Sequence, residues 1–136
     1  MRQNVSSPSP FEDVVGYSRS VRVGDSAWVA GTTATVEGEV VGVGDAYEQT
    51  RVAFGIALAG LARAGMAAED VVRTRMYVTD IADFEAVGRA HKEIFDAVRP
   101  VATMVQVVAL ARPEHLVEVE IDAHVASSER RGRLGS

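Results

Sequence analysis

Between Asp70 and Phe95 the chain reads DVVRTRMYVTDIADFEAVGRAHKEIF, and this stretch restricts the available folds more than any other. Val72, Thr74, Met76 and Val78 alternate with Arg73, Arg75, Tyr77 and Thr79, the period of a strand with one face for burial and one that is polar. Asp80 and Asp83 are placed to cap a following helix, along which Phe84, Val87, Ile94 and Val98 recur at helical spacing. A strand feeding a helix predicts a helix laid across a sheet. The arginine face must then look the other way, towards solvent, a ligand or another subunit.

A second alternation is clearer still. Val117, Val119, Ile121, Ala123 and Val125 share one face of a strand, and Glu118, Glu120, Asp122 and His124 share the other. Earlier in the chain, Tyr17 to Val23 and Ala27 to Ala30 flank Gly24-Asp25 as a hairpin. Val40 to Val43 reads as a third, minor strand or an ordered loop, and the GVG of Gly42 to Gly44 lacks the lysine or further glycines of a phosphate loop. Asp45 to Ala64 carries Phe54, Leu58 and Leu61 along a helical stripe, flanked by Ala53, Ala57, Gly60 and Ala64, with Gly65 placed to end the helix. Arg99-Pro100 stops the second helix, and Ala102 to Leu110 is an apolar run of strand type. The order β-β-(β)-α-β-α-β-β predicts an α+β sandwich, one mixed sheet with two helices packed on one face. The opposite face would carry Arg73, Arg75, Tyr77, Glu118 and Glu120.

With 136 residues the expectation is a single domain over 1–126 and a flexible tail over 127–136, the tail holding Arg130, Arg131 and Arg133. The absence of cysteine excludes disulfides and thiolate metal sites. A net charge of -5 disfavours nonspecific nucleic-acid binding, which depends on phosphate neutralisation. The opening MRQNVSSPSP has no apolar core of the signal-peptide kind and no later run is long enough to span a bilayer, so the expected protein is cytoplasmic with no membrane partner. His91, His115 and His124 have no metal-binding spacing. On the polar face, Arg73 or Arg75 has the chemistry to grip a carboxylate and Glu120 to act as a general base; the competing reading pairs these charges across strands. A polar sheet face on so small a domain also suggests oligomerisation, with ligand sites between subunits.

Several landmarks occur together and in order: Gly16-Tyr17-Ser18, the VAG of Val29 to Gly31, Gly38-Glu39-Val40, the helix ending in Leu61 to Gly65, VVRTRMYVTDIADFEAV, Pro100 opening a strand, and VEVEIDAHV. Over about Gly16 to Val125 the chain resembles the RidA (YjgF) family of reactive-intermediate deaminases. The resemblance implies a chorismate-mutase-like α+β fold, a homotrimer, and small-molecule ligands held in clefts between subunits. It implies water addition or elimination at an imine, enamine or related carbonyl compound, as a hydrolase or a lyase-type dehydratase, without metal or organic cofactor and with Glu120 as acid/base. Tyr17, Gly31, Ala102, Thr103 and Met104 fall at substrate-binding positions, and Arg73, Arg75 and His91 are added as candidates. The family's Pro-Ala-Arg-Ser/Thr motif reads Pro100-Val101-Ala102-Thr103 here, so a methyl group stands in place of the carboxylate-gripping guanidinium. Gly88 likewise replaces a helical asparagine. The resemblance thus implies a divergent member acting on some other small imine, enamine or carbonyl metabolite. The alternatives are a non-catalytic metabolite-binding protein and, more weakly, a ribonuclease or translation inhibitor as relatives are labelled.

Overall fold

A computed structural model describes residues 1–125; the expected tail and its three arginines lie outside the described residues. Six strands form the main sheet: β1 (Arg2–Val5), β2 (Ser20–Val23), β3 (Ser26–Thr32), β6 (Val71–Val78), β7 (Val101–Gln106) and β8 (Val117–His124). Their spatial order is β1-β2-β3-β8-β6-β7, and a separate small hairpin pairs β4 (Thr35–Val36) with β5 (Glu39–Val40). Only β6 and β7 run parallel, joined through helix α3 (Phe84–Phe95), as a parallel pair requires a crossover. The sheet is therefore mixed, and α2 (Ala46–Arg63) packs beside α3 on one of its faces.

The core lies in that layer. Phe54 and Leu61 from α2, Val87 and Phe95 from α3, and Met76, Val78, Val117, Val119 and Ile121 from the central strands are almost completely removed from solvent. Close approach of helix to sheet depends on small residues: a Cβ at Gly60 would lie 3.2 Å from Arg19 Cγ, and Ser20 Oγ donates to the Gly60 carbonyl at 2.9 Å. Asp45 caps the start of α2 by accepting from the Glu48 amide at 3.0 Å. At its end Gly65 takes φ 85°, and the amides of Gly65 and Met66 return to the carbonyls of Ala62 and Leu61, a Schellman closure.

Four local expectations are corrected. The opening MRQNVSSPSP, to which the sequence reading gave no element, carries β1 paired with β2, and a one-and-a-half-turn helix, α1 (Phe11–Val15), follows. Three of the four β1 side chains are exposed, so main-chain pairing forms this edge without an alternating pattern. Tyr17 to Arg19 precede β2 rather than opening it. Glu37 and Gly38, at φ 52° and 80°, turn the β4–β5 hairpin where a single minor strand or loop was expected. Finally, α3 closes at Phe95 and β7 at Gln106, leaving Val98 and the run from Val107 to Leu110 outside both. The Val107 amide makes the last bond of the pairing, to the Val78 carbonyl at 2.8 Å, and Val108 beyond it is fully exposed. No helix among the described residues is long and apolar enough to cross a membrane.

Candidate functional site

The antiparallel register of β6 and β8 sets Arg73 opposite Asp122, Arg75 opposite Glu120 and Tyr77 opposite Glu118, all on the face away from the helices. Each is half-buried. Tyr77 Oη donates to Glu120 Oε1 at 2.7 Å. Arg75 Nη1 lies 3.4 Å from Asp122 Oδ2 and 3.9 Å from Glu120 Oε1, and Arg73 Nε lies 3.9 Å from Asp122 Oδ2. Such long, partly solvated pairs contribute at most about 1 kcal/mol each. The arginines are thus loosely held and free to re-aim towards an anionic ligand.

Beside this row, β3 bulges. Val29 faces Ile121 and Thr32 faces Val119, so Ala30 and Gly31 together oppose the single residue Glu120. A bulge leaves main-chain groups without ladder partners, and Arg19 supplies them: its Nη2 donates to the carbonyls of Ala30 at 2.7 Å and Gly31 at 2.8 Å. Arg19 Nε is buried beside them without a hydrogen-bond acceptor. Tyr17 lies within electrostatic reach of the same guanidinium. Gly31 makes room for the Glu118 carboxylate: a Cβ there would stand 2.2 Å from Glu118 Oε2, so that side chain would have to move aside. Burial foremost, then the charge of Glu120, push the Glu118 carboxyl above the usual carboxylate range, with Arg19 pulling it back. The hydrogen bond from Tyr77 to Glu120 similarly raises the Tyr77 hydroxyl.

Gly31→Ala is therefore expected to swing the Glu118 carboxylate out of its seat while lowering stability by less than about 1 kcal/mol, because the group in the way is the end of a flexible side chain. Urea denaturation of the single variant and of Gly31→Ala combined with Glu118→Ala checks this. With the Glu118 side chain removed, the alanine at position 31 should cost nothing further.

The remaining candidates divide by face. Thr103 pairs with Arg75 in the parallel β6–β7 register and shares its face. Ala102 pairs with Thr74 and Met104 with Met76, which puts both on the helix side, Ala102 exposed at the edge and Met104 against the core. His91 is also on that side. Its Nε2 is 2.8 Å from Thr74 Oγ1, and its ring packs against Phe54 and Phe95 at centroid distances of 5.6 and 4.8 Å. Burial lowers its pKa, favouring the neutral ring. His91 accordingly does not join the arginine row within one chain. Arg19 is the group that reading the sequence passed over: it precedes the strand, and nothing in the local pattern announces a bulge eleven residues later.

Known proteins are similar to this chain along most of its length. The model of the endoribonuclease L-PSP family matches residues 8–125. An uncharacterized protein of Streptomyces coelicolor is 47% identical over 122 residues, covering 90% of this chain and 91% of the relative. The 3-aminoacrylate deaminase RutC of Acinetobacter baylyi is 33% identical over 110 residues, 80% of this chain and 86% of that protein. Among solved structures, a Mycobacterium tuberculosis member of the YjgF/YER057c/UK114 family superposes with a TM-score of 0.84 at 47% identity, covering 92% of this chain and 100% of that one. The sheet with two helices on one face and the match over 118 residues agree, and the chain belongs to the endoribonuclease L-PSP family, the RidA (YjgF) family.

Proposed function

We propose that this protein hydrolyses a small imine, enamine or related carbonyl metabolite in clefts between the subunits of a homotrimer, and that it is a divergent member rather than a standard 2-imino-acid deaminase. The observation that carries the reading is Glu120, an acceptor held by Tyr77 within a row of arginines on an open sheet face. A carboxylate so placed can take a proton from water as the water adds to an electrophilic carbon. The similarity to a 3-aminoacrylate deaminase supports an enamine or imine substrate. No cofactor is required by that chemistry.

The division of candidates between two faces supports a site shared by subunits. Ala102 and His91 lie on the helix side, while Glu120, Arg75 and Thr103 lie on the other, so a second copy is needed to bring both sets to one small molecule. The surface suits association. β7 is an unpaired edge with Val101 and Val105 exposed, and Trp28 is exposed on the open face. In such an assembly the protein would be cytoplasmic, with a metabolite as its ligand and neither membrane nor nucleic acid as a partner. A monomer by sedimentation would remove the shared site.

Ala102 favours a second reading, in which the cleft binds a metabolite without turning it over, since no guanidinium stands there to fix a substrate carboxylate. Ammonia release from 2-imino acids, generated in situ by an amino-acid oxidase, distinguishes the two. Slow release by wild type and a gain of about 10–100-fold in kcat/KM for Ala102→Arg is the expected result, the worth of a charge-assisted bidentate contact. Equal rates for the two proteins would show that another group, such as Arg75, already grips the carboxylate. No release from either, and none from the enamine 3-aminoacrylate, would leave the binding reading in place of hydrolysis.

A further inference from the structure

We propose that Glu118 is a second working carboxyl of this site, the proton donor that complements Glu120 as proton acceptor, with Arg19 and Gly31 as its positioning residues. The role rests on the hydrolytic reading above and deepens it. Glu118 and Glu120 point to the same side of β8, two residues apart, so their Cα atoms are about 6.5–7 Å from each other. Two carboxyls on one face of one strand can both reach a small molecule lying over that face.

Their surroundings differ in a consistent direction. Tyr77 is directly opposite Glu118 in the register, yet its hydroxyl reaches diagonally to Glu120. Arg75 stands opposite Glu120 and approaches it to 3.9 Å. Glu120 thus has a donor and a cation to hold it as an acceptor. Glu118 instead lies over the bare Cα of Gly31, and no hydrogen-bond donor among the described residues reaches its carboxyl. The cation that acts on it, Arg19, spends Nη2 on the two bulge carbonyls. The charged and titratable groups facing Glu118 are Glu120 on its own strand, Tyr77 across on β6, and Arg19 from the segment before β2. Burial and Glu120 favour its protonated form and outweigh Arg19. Two neighbouring carboxyls whose environments push them apart are suited to opposite roles.

The step balances. As the water oxygen bonds to the imine carbon, Glu120 takes a water proton, the C=N π pair moves to nitrogen, and Glu118 delivers its proton there. When the carbinolamine collapses, the hydroxyl proton returns to Glu118, the C–N bond breaks, and ammonia leaves with the proton from Glu120. One imine and one water give one carbonyl compound and one ammonia, with both carboxyls restored. Because the protonated Glu118 is the active form, kcat must fall as pH rises through its elevated pKa.

The test is ammonia release from 2-imino acids as above, in wild type and in Ala102→Arg, with and without Glu118→Gln. The expected result is a 10²–10⁴-fold loss of kcat at neutral pH with KM nearly unchanged, and loss of the alkaline limb of the pH profile. A residue that merely supported the fold would not move that limb. In parallel, carbon-13 NMR of glutamate carboxyl groups should show one resonance titrating above the ordinary range, absent from Glu118→Gln and moved in Gly31→Ala. Full activity of Glu118→Gln in an active background overturns the role of Glu118 and leaves hydrolysis standing. So does titration of Glu118 at or below the ordinary carboxylate range. Silence of both wild type and Ala102→Arg towards 2-imino acids and towards the enamine 3-aminoacrylate overturns the hydrolytic reading itself, and this role with it.

Discussion

Replacing Phe54 with alanine is expected to destabilise the protein by about 3–5 kcal/mol, a large part of the roughly 5–15 kcal/mol that keeps a typical domain folded. Phe54 is completely buried at the centre of α2 and meets Phe95 edge to face, with centroids 5.2 Å apart and planes inclined by 81°. It also abuts the His91 ring at 5.6 Å. Truncation removes transfer free energy and leaves a cavity between two helices and the sheet, where backbone on both sides resists collapse. Urea denaturation monitored by circular dichroism, at one fixed protomer concentration because association would add to apparent stability, gives the measurement. A lower midpoint with an unchanged slope is expected. A loss below about 1 kcal/mol would mean that the helix layer closes over the gap, contrary to the packing described.

Gln49→Leu should be nearly as damaging, for a different reason. Gln49 is fully buried; its Nε2 donates to the Gly42 carbonyl at 3.1 Å and the Glu114 carbonyl at 2.9 Å, and its Oε1 accepts from the Leu116 amide at 2.9 Å. The Gly42 carbonyl keeps a second donor, the Asp45 amide at 2.9 Å. Glu114 O and Leu116 N are left without a partner by leucine, at about 1–3 kcal/mol each, so a loss of about 3 kcal/mol is expected. The segment those groups belong to leads directly into β8, and therefore into Glu118 and Glu120. Hydrogen exchange at the Leu116 amide must accelerate, and Gln49→Glu, which keeps the acceptor, should retain more of its protection. Unchanged exchange at Leu116 in the leucine variant would refute the tether.

Much of this architecture is legible in the chain. The alternation from Val72 to Thr79 and from Val117 to Val125 identifies two strands and assigns every side chain on them to a face, because a strand's period is two and only one face can be buried. Phe54 and Leu61 identify the buried side of α2, and Gly65 marks its end at φ 85°. The arginine and carboxylate row on the open face follows from the same periodicity. What escaped that reading has little periodic signal. β1 is exposed on most of its side chains and is formed by main-chain pairing. α1, of five residues, is too short to display a stripe.

The candidate site was half legible for the same reason. Arg73, Arg75 and Glu120 announce themselves by position on a strand. Alternation alone separates Ala102 and Met104 from Thr103, but which of them shares the face of Arg75 is settled only by the parallel register with β6. His91 has helical spacing compatible with either flank, and only the packing of Phe54, Phe95 and Thr74 about it fixes the buried one.

The sequence by itself determined the elements, the buried faces and the resemblance that led to the family, because these depend on local periodicity and on motifs contiguous in the chain. Only the tertiary structure decided that Arg19 clamps a bulge at Ala30 and Gly31, that Gly31 makes room for Glu118, and that Tyr77 reaches past Glu118 to Glu120. Those contacts join residues 11, 12, 87 and 43 positions apart, between segments whose separation is set by strand pairing. Side-chain chemistry at such distances along the chain acquires a partner only after the sheet has closed.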